Sequence, residues 1–155
     1  MMLLQPGGEA WNRFYCESFG IKEDKLLNVG LPRADYLINE EENIKEEIYR
    51  VYPDFLDKKI ILYAPTFRRT NTDKCEELIK NINSDEYILI IKGHPNQELK
   101  YDSKGVYECE KFGTMQLLTV CDYLITDYSA IALEAAVLNK KTYYYLHDVY
   151  AYLHH

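Results

Sequence analysis

The chain has 155 residues, of which 47% are hydrophobic and 28% charged, and this suits one soluble domain spanning residues 1–155. Lys and Arg total 18 against 25 Asp and Glu, so the formal net charge is -7. This excludes non-specific binding to nucleic acid or anionic lipid, which needs an excess of positive charge. A phosphate ligand stays open, because it needs only a few well-placed donors. No apolar run approaches the ~20 residues that span a bilayer, and we expect a cytoplasmic protein.

The four cysteines are far apart in the sequence and form no Cys-x-x-Cys pair. They are Cys16, Cys75, Cys109 and Cys121. The spacing predicts four reduced thiols in a cytosolic protein and no metal site. No cofactor is expected either.

The first third of the chain favours helices. Gly20 is typical of the end of a first helix, and Pro53 predicts the end of a later helix at residue 52. In chain order, the pattern predicts a helix over residues 9–19, a short strand over 26–29, a helix beginning at Pro32 and continuing through 34–37, and a separate charged helix from residue 39 or 40 to 52.

The rest of the chain alternates between strands and helices. The predicted strands are residues 59–64, 87–92, 106–109, 123–125 and 141–146, and the predicted helices are 73–82, 114–120 and 129–138. Strand 59–64 is continuously apolar, which is typical of a parallel sheet buried on both faces. The alternation predicts an α/β fold with a doubly wound, mainly parallel sheet.

Polar residues follow three of these strands, where ligands bind in such sheets. Thr126, Asp127 and Ser129 stand between a strand and a helix, where the Ser129 hydroxyl and the free N–H groups of the first helical turn suit an anion. Asp127 suits a hydroxyl rather than a phosphate. The alternative is that these three residues only cap the helix.

Two other strand ends carry candidate phosphate contacts. His94 follows strand 87–92 and suits a phosphate contact or a general acid or base, the alternative being a surface histidine in a turn imposed by Gly93 and Pro95. Arg68 or Arg69 follows the first buried strand and can clamp a phosphate, the alternative being a solvated pair.

These segments form an ordered set of motifs: residues 30–35 (GLPRAD), 61–68 (ILYAPTFR), 92–95 (KGHP), 122–129 (DYLITDYS) and 144–150 (YYLHDVY). The set resembles the CDP-glycerol:poly(glycerophosphate) glycerophosphotransferase family over nearly the whole chain. The resemblance implies the two-domain GT-B glycosyltransferase fold, with this stretch forming most of the Rossmann-like, donor-binding domain.

The resemblance also implies a reaction. CDP-glycerol or CDP-ribitol lies across the strand ends with its pyrophosphate at Ser129, an acceptor hydroxyl attacks the phosphorus that bears the polyol, and CMP leaves. His94 is implied as the catalytic residue. The implied substrate-binding residues are Arg33, Thr66, Arg68, Asp127, Ser129 and Glu134, of which Glu134 falls where such domains often place a carboxylate for ribose hydroxyls.

The sequence departs from the family pattern in two places. Ala130 stands where members usually have a second serine, and an earlier histidine of the family has no counterpart here. The polymer or lipid-linked acceptor is expected to bind a domain outside this stretch, with peripheral membrane association through the parent protein or a partner at the inner face of the membrane. Three readings follow: part of a transferase, a nucleotide-binding module that needs a partner half, or the donor half of a UDP-sugar glycosyltransferase or epimerase.

Overall fold

Helices and parallel strands alternate along the chain in the computed structural model, which describes residues 3–66, 75–93 and 101–153, without the side chains of residues 151 and 152. The helices are α1 (Asn12–Phe19), α2 (Pro32–Val51), α3 (Cys75–Asn81), α4 (Thr114–Val120), α5 (Ile131–Val137) and α6 (Val149–Leu153). The strands are β1 (Lys59–Tyr63), β2 (Tyr87–Ile91), β3 (Val106–Tyr107), β4 (Tyr123–Thr126) and β5 (Lys141–Tyr144). Short 3-10 helices cover Glu9–Trp11, Glu23–Lys25 and Pro53–Leu56.

The five strands form one parallel sheet in the order β3-β2-β1-β4-β5. Tyr63 pairs with Ile91 on one side and with Ile125 on the other, so β1 lies at the centre. The chain moves outward from β1 to β3 and then returns to place β4 on the opposite side of β1. The predicted doubly wound, parallel α/β fold is confirmed.

The sheet is covered on both faces, as the unbroken apolar strands predict. Alternate residues of β1 point to two separate cores. Ile60 and Leu62 pack in the larger core with residues of α2, α4 and α5. Ile61 and Tyr63 pack in the smaller one with residues of α3.

One continuous helix replaces the two that were predicted between residues 32 and 52. Helix α2 runs for 20 residues from Pro32 to Val51. Leu37, Ile44 and Ile48 are all buried and recur at helical spacing, so they lie on one face of an uninterrupted helix. Burial of that stripe outweighs the weak helix propensity of Asn39.

The boundaries of two predicted strands and of one predicted helix also differ from the sequence prediction. The strand predicted over 26–29 is reduced to a single bridge between Leu26 and Leu4. Strand β3 ends at Tyr107 rather than at residue 109, because Cys109 adopts a left-handed conformation (φ 50) that a strand cannot contain. Helix α5 begins at Ile131, two residues later than predicted.

The N-terminal helix α1 contributes no buried residue, and Trp11 is 55% and Phe14 58% exposed. It ends as predicted at Gly20, whose φ of 62 places it in the left-handed region and whose N–H donates to the Cys16 carbonyl.

No disulfide joins the four cysteines, all of which lie within the described residues. Across the described ranges, no helix combines the length and hydrophobicity that crossing a membrane requires.

Asp122 ties the start of β1 to the start of β4. Its carboxylate accepts hydrogen bonds from the Ile60 backbone N–H at 2.9 Å and from the Lys59 ammonium at 2.7 Å. We expect Asp122→Ala to lower the free energy of unfolding by about 1–3 kcal/mol, because it leaves a backbone donor unpaired. Chemical denaturation measures this. The control is Asp85→Ala, which breaks an exposed pair with Lys104 and should lower the free energy of unfolding much less than Asp122→Ala does, because solvent screens exposed pairs. Equal losses in the two variants would contradict the role given to Asp122.

Candidate functional site

A cleft of about 480 Å³ opens at the carboxyl ends of the strands. The loop after β1 leads to α3 on one face of the sheet, whereas the loop after β4 leads to α5 on the other. Two neighbouring loops that diverge in this way leave a crevice between them, which is where doubly wound sheets bind ligands. The lining residues come from five segments of the chain: Arg33 from α2; Ala64, Pro65 and Thr66 after β1; Gly93 after β2; Thr114 and Met115 from α4; and Tyr128, Ser129, Ala130, Ile131 and Glu134 from the loop after β4 and from α5.

Asp127 and Thr66 hold the two diverging loops together. One Asp127 carboxylate oxygen accepts hydrogen bonds from the Thr66 backbone N–H at 2.8 Å and from the Thr66 hydroxyl at 2.7 Å. One residue before Asp127 and two before Thr66, the buried Thr126 hydroxyl donates to the Ala64 carbonyl at 2.7 Å. The predicted site residues Thr66 and Asp127 therefore come together, and the bonds between them brace the rim of the cleft.

Glu134 and Arg33 form an ion pair in the cleft. The Arg33 guanidinium lies 2.5 Å from Oε1 of Glu134, and the two side chains are 50% and 3% exposed. The second carboxylate oxygen, Oε2, is buried and has no hydrogen-bond partner among the described residues. An unpaired buried carboxylate oxygen is costly and can accept a hydrogen bond from a ligand hydroxyl.

Ser129 lines the cleft just before α5 begins. Its hydroxyl oxygen accepts from the Ile131 backbone N–H at 3.5 Å, the longest hydrogen bond in this region. A contact of that length is weak as a helix cap, so the alternative that Ser129 only caps α5 is not favoured. The hydroxyl proton can still be donated to a ligand.

Two predicted residues, Arg68 and His94, lie outside the described residues. Their neighbours in the sequence, Thr66 and Gly93, line the cleft. The charges of Arg33 and Glu134 cancel each other, so the described lining carries no net charge. An anionic ligand would need cationic groups from elsewhere in the chain.

Sequence reasoning missed the contribution of α4. Thr114 and Met115 begin that helix and line the cleft, although β3 and α4 carried no recognised motif. A weak signal was present, because Gly113 precedes the helix and its N–H donates to the Gln116 side chain at 2.9 Å, which is one of the two bonds of a capping box. Such a signal locates a helix start but does not say what the helix faces.

His147 follows β5 and is half-buried. Its ring centroid lies 5.2 Å from that of Tyr145. Both ring nitrogens are buried, and neither has a hydrogen-bond partner among the described residues. Packing at the end of β5 therefore removes the two ring nitrogens from water, and no described residue takes the place of their hydrogen bonds to water.

The sequence model of the family described as CDP-Glycerol:Poly(glycerophosphate) glycerophosphotransferase matches residues 8–155. The chain belongs to this family. The match begins before α1 and runs through every strand of the sheet, so it takes in all the segments that line the cleft.

The relatives of this glycerophosphotransferase-family chain are longer proteins. It is 35% identical to the teichoic acid glycerol-phosphate primase of Bacillus subtilis over 96% of the chain and 40% of that protein. It is 34% identical to the teichoic acid poly(ribitol-phosphate) polymerase of Bacillus spizizenii over 91% of the chain and 25% of that protein. The chain thus spans less than half the length of these curated relatives.

The fold also matches a solved structure of the wall teichoic acid polymerase TagF, with a TM-score of 0.76 over 97% of this chain and 40% of that one. The sequence identity is 22%, so this likeness concerns the fold. It agrees with the GT-B type of architecture that the family resemblance implies.

His147→Phe tests whether the buried imidazole serves stability or the site. We expect the variant to raise the free energy of unfolding by about 1 kcal/mol, because it removes two unpaired polar atoms and keeps a ring against Tyr145. Thermal and chemical denaturation measure the change. A variant that is no more stable than the wild type and has lost nucleotide affinity would contradict this expectation and give the imidazole a role in ligand binding.

Proposed function

We propose that this chain is the donor-binding part of a CDP-glycerol or CDP-ribitol glycerophosphotransferase, which transfers polyol phosphate to a growing teichoic-acid-like polymer and releases CMP. The observation that carries the proposal is the family match over residues 8–155, together with a cleft between β1 and β4, where the order of the strands in the sheet reverses. That position suits a nucleotide diphosphate. Residues 1–155 act as one donor domain, and the acceptor binds elsewhere in the complete enzyme.

In this proposal Glu134 and Arg33 hold the nucleoside. The free Oε2 of Glu134 accepts a hydrogen bond from a ribose hydroxyl, while the ion pair with Arg33 through Oε1 keeps the carboxylate oriented. The geometry supports this assignment because a buried carboxylate with one occupied and one unoccupied oxygen is already arranged for a ligand. The Glu134 side chain then needs little reorganisation on binding.

The pyrophosphate lies near Ser129 in the same proposal. The Ser129 hydroxyl donates to a phosphate oxygen, and Thr66 and Asp127 keep the loop after β1 against the loop after β4. Arg68 supplies a planar fork for the phosphate charge, which the neutral Arg33–Glu134 pair does not. Positioning and charge neutralisation are the main requirements of such a transfer.

His94 acts as the catalytic residue. The acceptor hydroxyl forms a bond to the phosphorus that bears the polyol, the bond from that phosphorus to the CMP oxygen breaks, and His94 takes the hydroxyl proton or contacts the transferred phosphate. The enzyme works in the cytoplasm at the inner face of the membrane, where a polymer or lipid-linked acceptor is presented. Membrane contact comes through the parent protein or a partner.

Calorimetric titration of the chain with CDP-glycerol, CDP and UDP tests the proposed donor. We expect both cytidine ligands to bind at least about tenfold more tightly than UDP, a difference of about 1.4 kcal/mol. Preference for UDP would favour the donor half of a nucleotide-sugar enzyme. No binding to any of the three would overturn the proposal for this chain and favour a module that needs a partner half.

Variants of Ser129 and Glu134 test the proposed contacts. Ser129→Ala should weaken CDP binding about tenfold with little change in melting temperature, because it removes one donor from a loop and no core contact. Glu134→Gln should narrow the difference in affinity between CDP and 2′,3′-dideoxy-CDP, because a neutral amide oxygen accepts a ribose hydroxyl more weakly than a carboxylate does. The matched control is Glu46→Gln, which removes the same charge from an exposed position on α2. A Glu134→Gln variant that still discriminates like the wild type would show that Glu134 does not contact the ribose.

A further inference from the structure

Lys92 lies directly after β2, inside the motif KGHP, but the bonds of its ammonium group run to the backbone. The Lys92 Nζ donates to the Glu108 carbonyl at 3.3 Å and to the Cys109 carbonyl at 3.2 Å. Both carbonyls belong to the segment that joins β3 to α4. One charged donor thus bridges two successive carbonyls that no ladder or helix pairs.

This segment has an unfavourable backbone conformation at Cys109. Its φ of 50 lies in the left-handed region, which a side chain with a Cβ rarely adopts. The side chain is 3% exposed, and burial raises the pKa of the thiol to about 11, so the sulfur stays uncharged near neutral pH. The Cys109 carbonyl accepts from both the Lys92 ammonium and the Phe112 N–H, the latter at 3.0 Å. These bonds compensate for the conformation at Cys109.

The turn that Lys92 holds decides where α4 begins. Phe112 is buried in the larger core, and Gly113 follows it with its N–H bonded to Gln116. The next two residues, Thr114 and Met115, line the cleft. A change in the conformation at residues 108–113 would therefore shift this wall of the cleft relative to Ser129, on the loop after β4, and Glu134, on α5.

We propose that Lys92 is a positioning residue, which fixes the Thr114–Met115 wall of the cleft by holding the Glu108 and Cys109 carbonyls. The part of this inference that concerns ligand affinity rests on the proposed nucleotide site, whereas the part that concerns the conformation of residues 108–117 does not. In this role Lys92 acts through the backbone, and its side chain is not among the described residues that line the cleft.

Lysine 140 offers a matched control. Its ammonium donates to the Thr119 carbonyl at 2.8 Å, so it also bonds the backbone near α4, but close to the end of the helix that is remote from the cleft. Both contacts are partly buried lysine-to-carbonyl bonds. Lys92→Met and Lys140→Met thus remove the same kind of interaction, the first from the segment before α4 and the second from the last turn of α4.

The test combines amide hydrogen exchange with CDP titration on the 155-residue chain. We expect Lys92→Met to speed exchange of the Phe112 and Leu117 amides, which bond to the Cys109 and Gly113 carbonyls, by about tenfold or more, with strand β4 unaffected. The affinity for CDP should fall about tenfold. Lys140→Met should leave both the Phe112 amide and the CDP affinity unchanged, and Lys92→Arg should restore most of both, because its fork can reach two carbonyls.

Unchanged exchange at Phe112 and Leu117 in a folded Lys92→Met variant would overturn the inference, and so would an equal loss of CDP affinity in Lys140→Met. If Lys92→Met does not fold, Lys92→Arg and Lys92→Gln decide, since only the arginine should keep wild-type exchange at these amides. If the wild type binds no CDP, the proposed nucleotide site fails, and the exchange measurement still decides whether Lys92 positions the turn.

Discussion

The cleft depends on the junction between β1 and β4. These strands are neighbours in the sheet, yet the loops that follow them leave toward opposite faces. The strand pairing ends at Tyr63 and Ile125, so it does not hold the two loops together. Side-chain bonds take over at that point. Thr126 bonds to the Ala64 carbonyl, and Asp127 bonds to Thr66, which extends the contact past the strand ends. The cleft has a defined shape because these bonds join the loop after β1 to the loop after β4.

The electrostatics of the described lining follow from one ion pair. A carboxylate that is 97% buried would be expensive to keep charged alone, and the Arg33 guanidinium lowers that cost. The pair also brings α2, which precedes the sheet in the chain, into contact with α5, which follows β4. A protein of formal net charge -7 can then present a locally neutral cleft, so recognition of a phosphate rests on local donors rather than on the overall field.

The strongest sequence predictions concerned elements whose signal is local. The apolar runs of β1 and β2 predicted buried parallel strands, and helix α4 begins and ends at the predicted residues. Predictions were wrong where distant contacts decide. Helix α2 continues through Asn39 because Leu37 and Ile48 lie on one buried face, and β3 stops early because Cys109 turns its carbonyl toward Lys92. Similarly, residues 26–29 have a strand-like composition, but within the described part of the chain their one bridge partner is Leu4.

The sequence by itself determined the α/β class, the order of the elements, the family and most of the polar residues that the cleft contains. These properties can be predicted from hydrophobic periodicity and short motifs, because both depend on residues that are close together in the sequence. The tertiary structure decided which motif residues brace the cleft and which remain available to a ligand. That depends on pairing across 61 residues for Thr66 and Asp127, and on α2 meeting α5 for Arg33 and Glu134. It also brought Thr114 and Met115 into the lining, since a helix start in the sequence does not reveal what it will face.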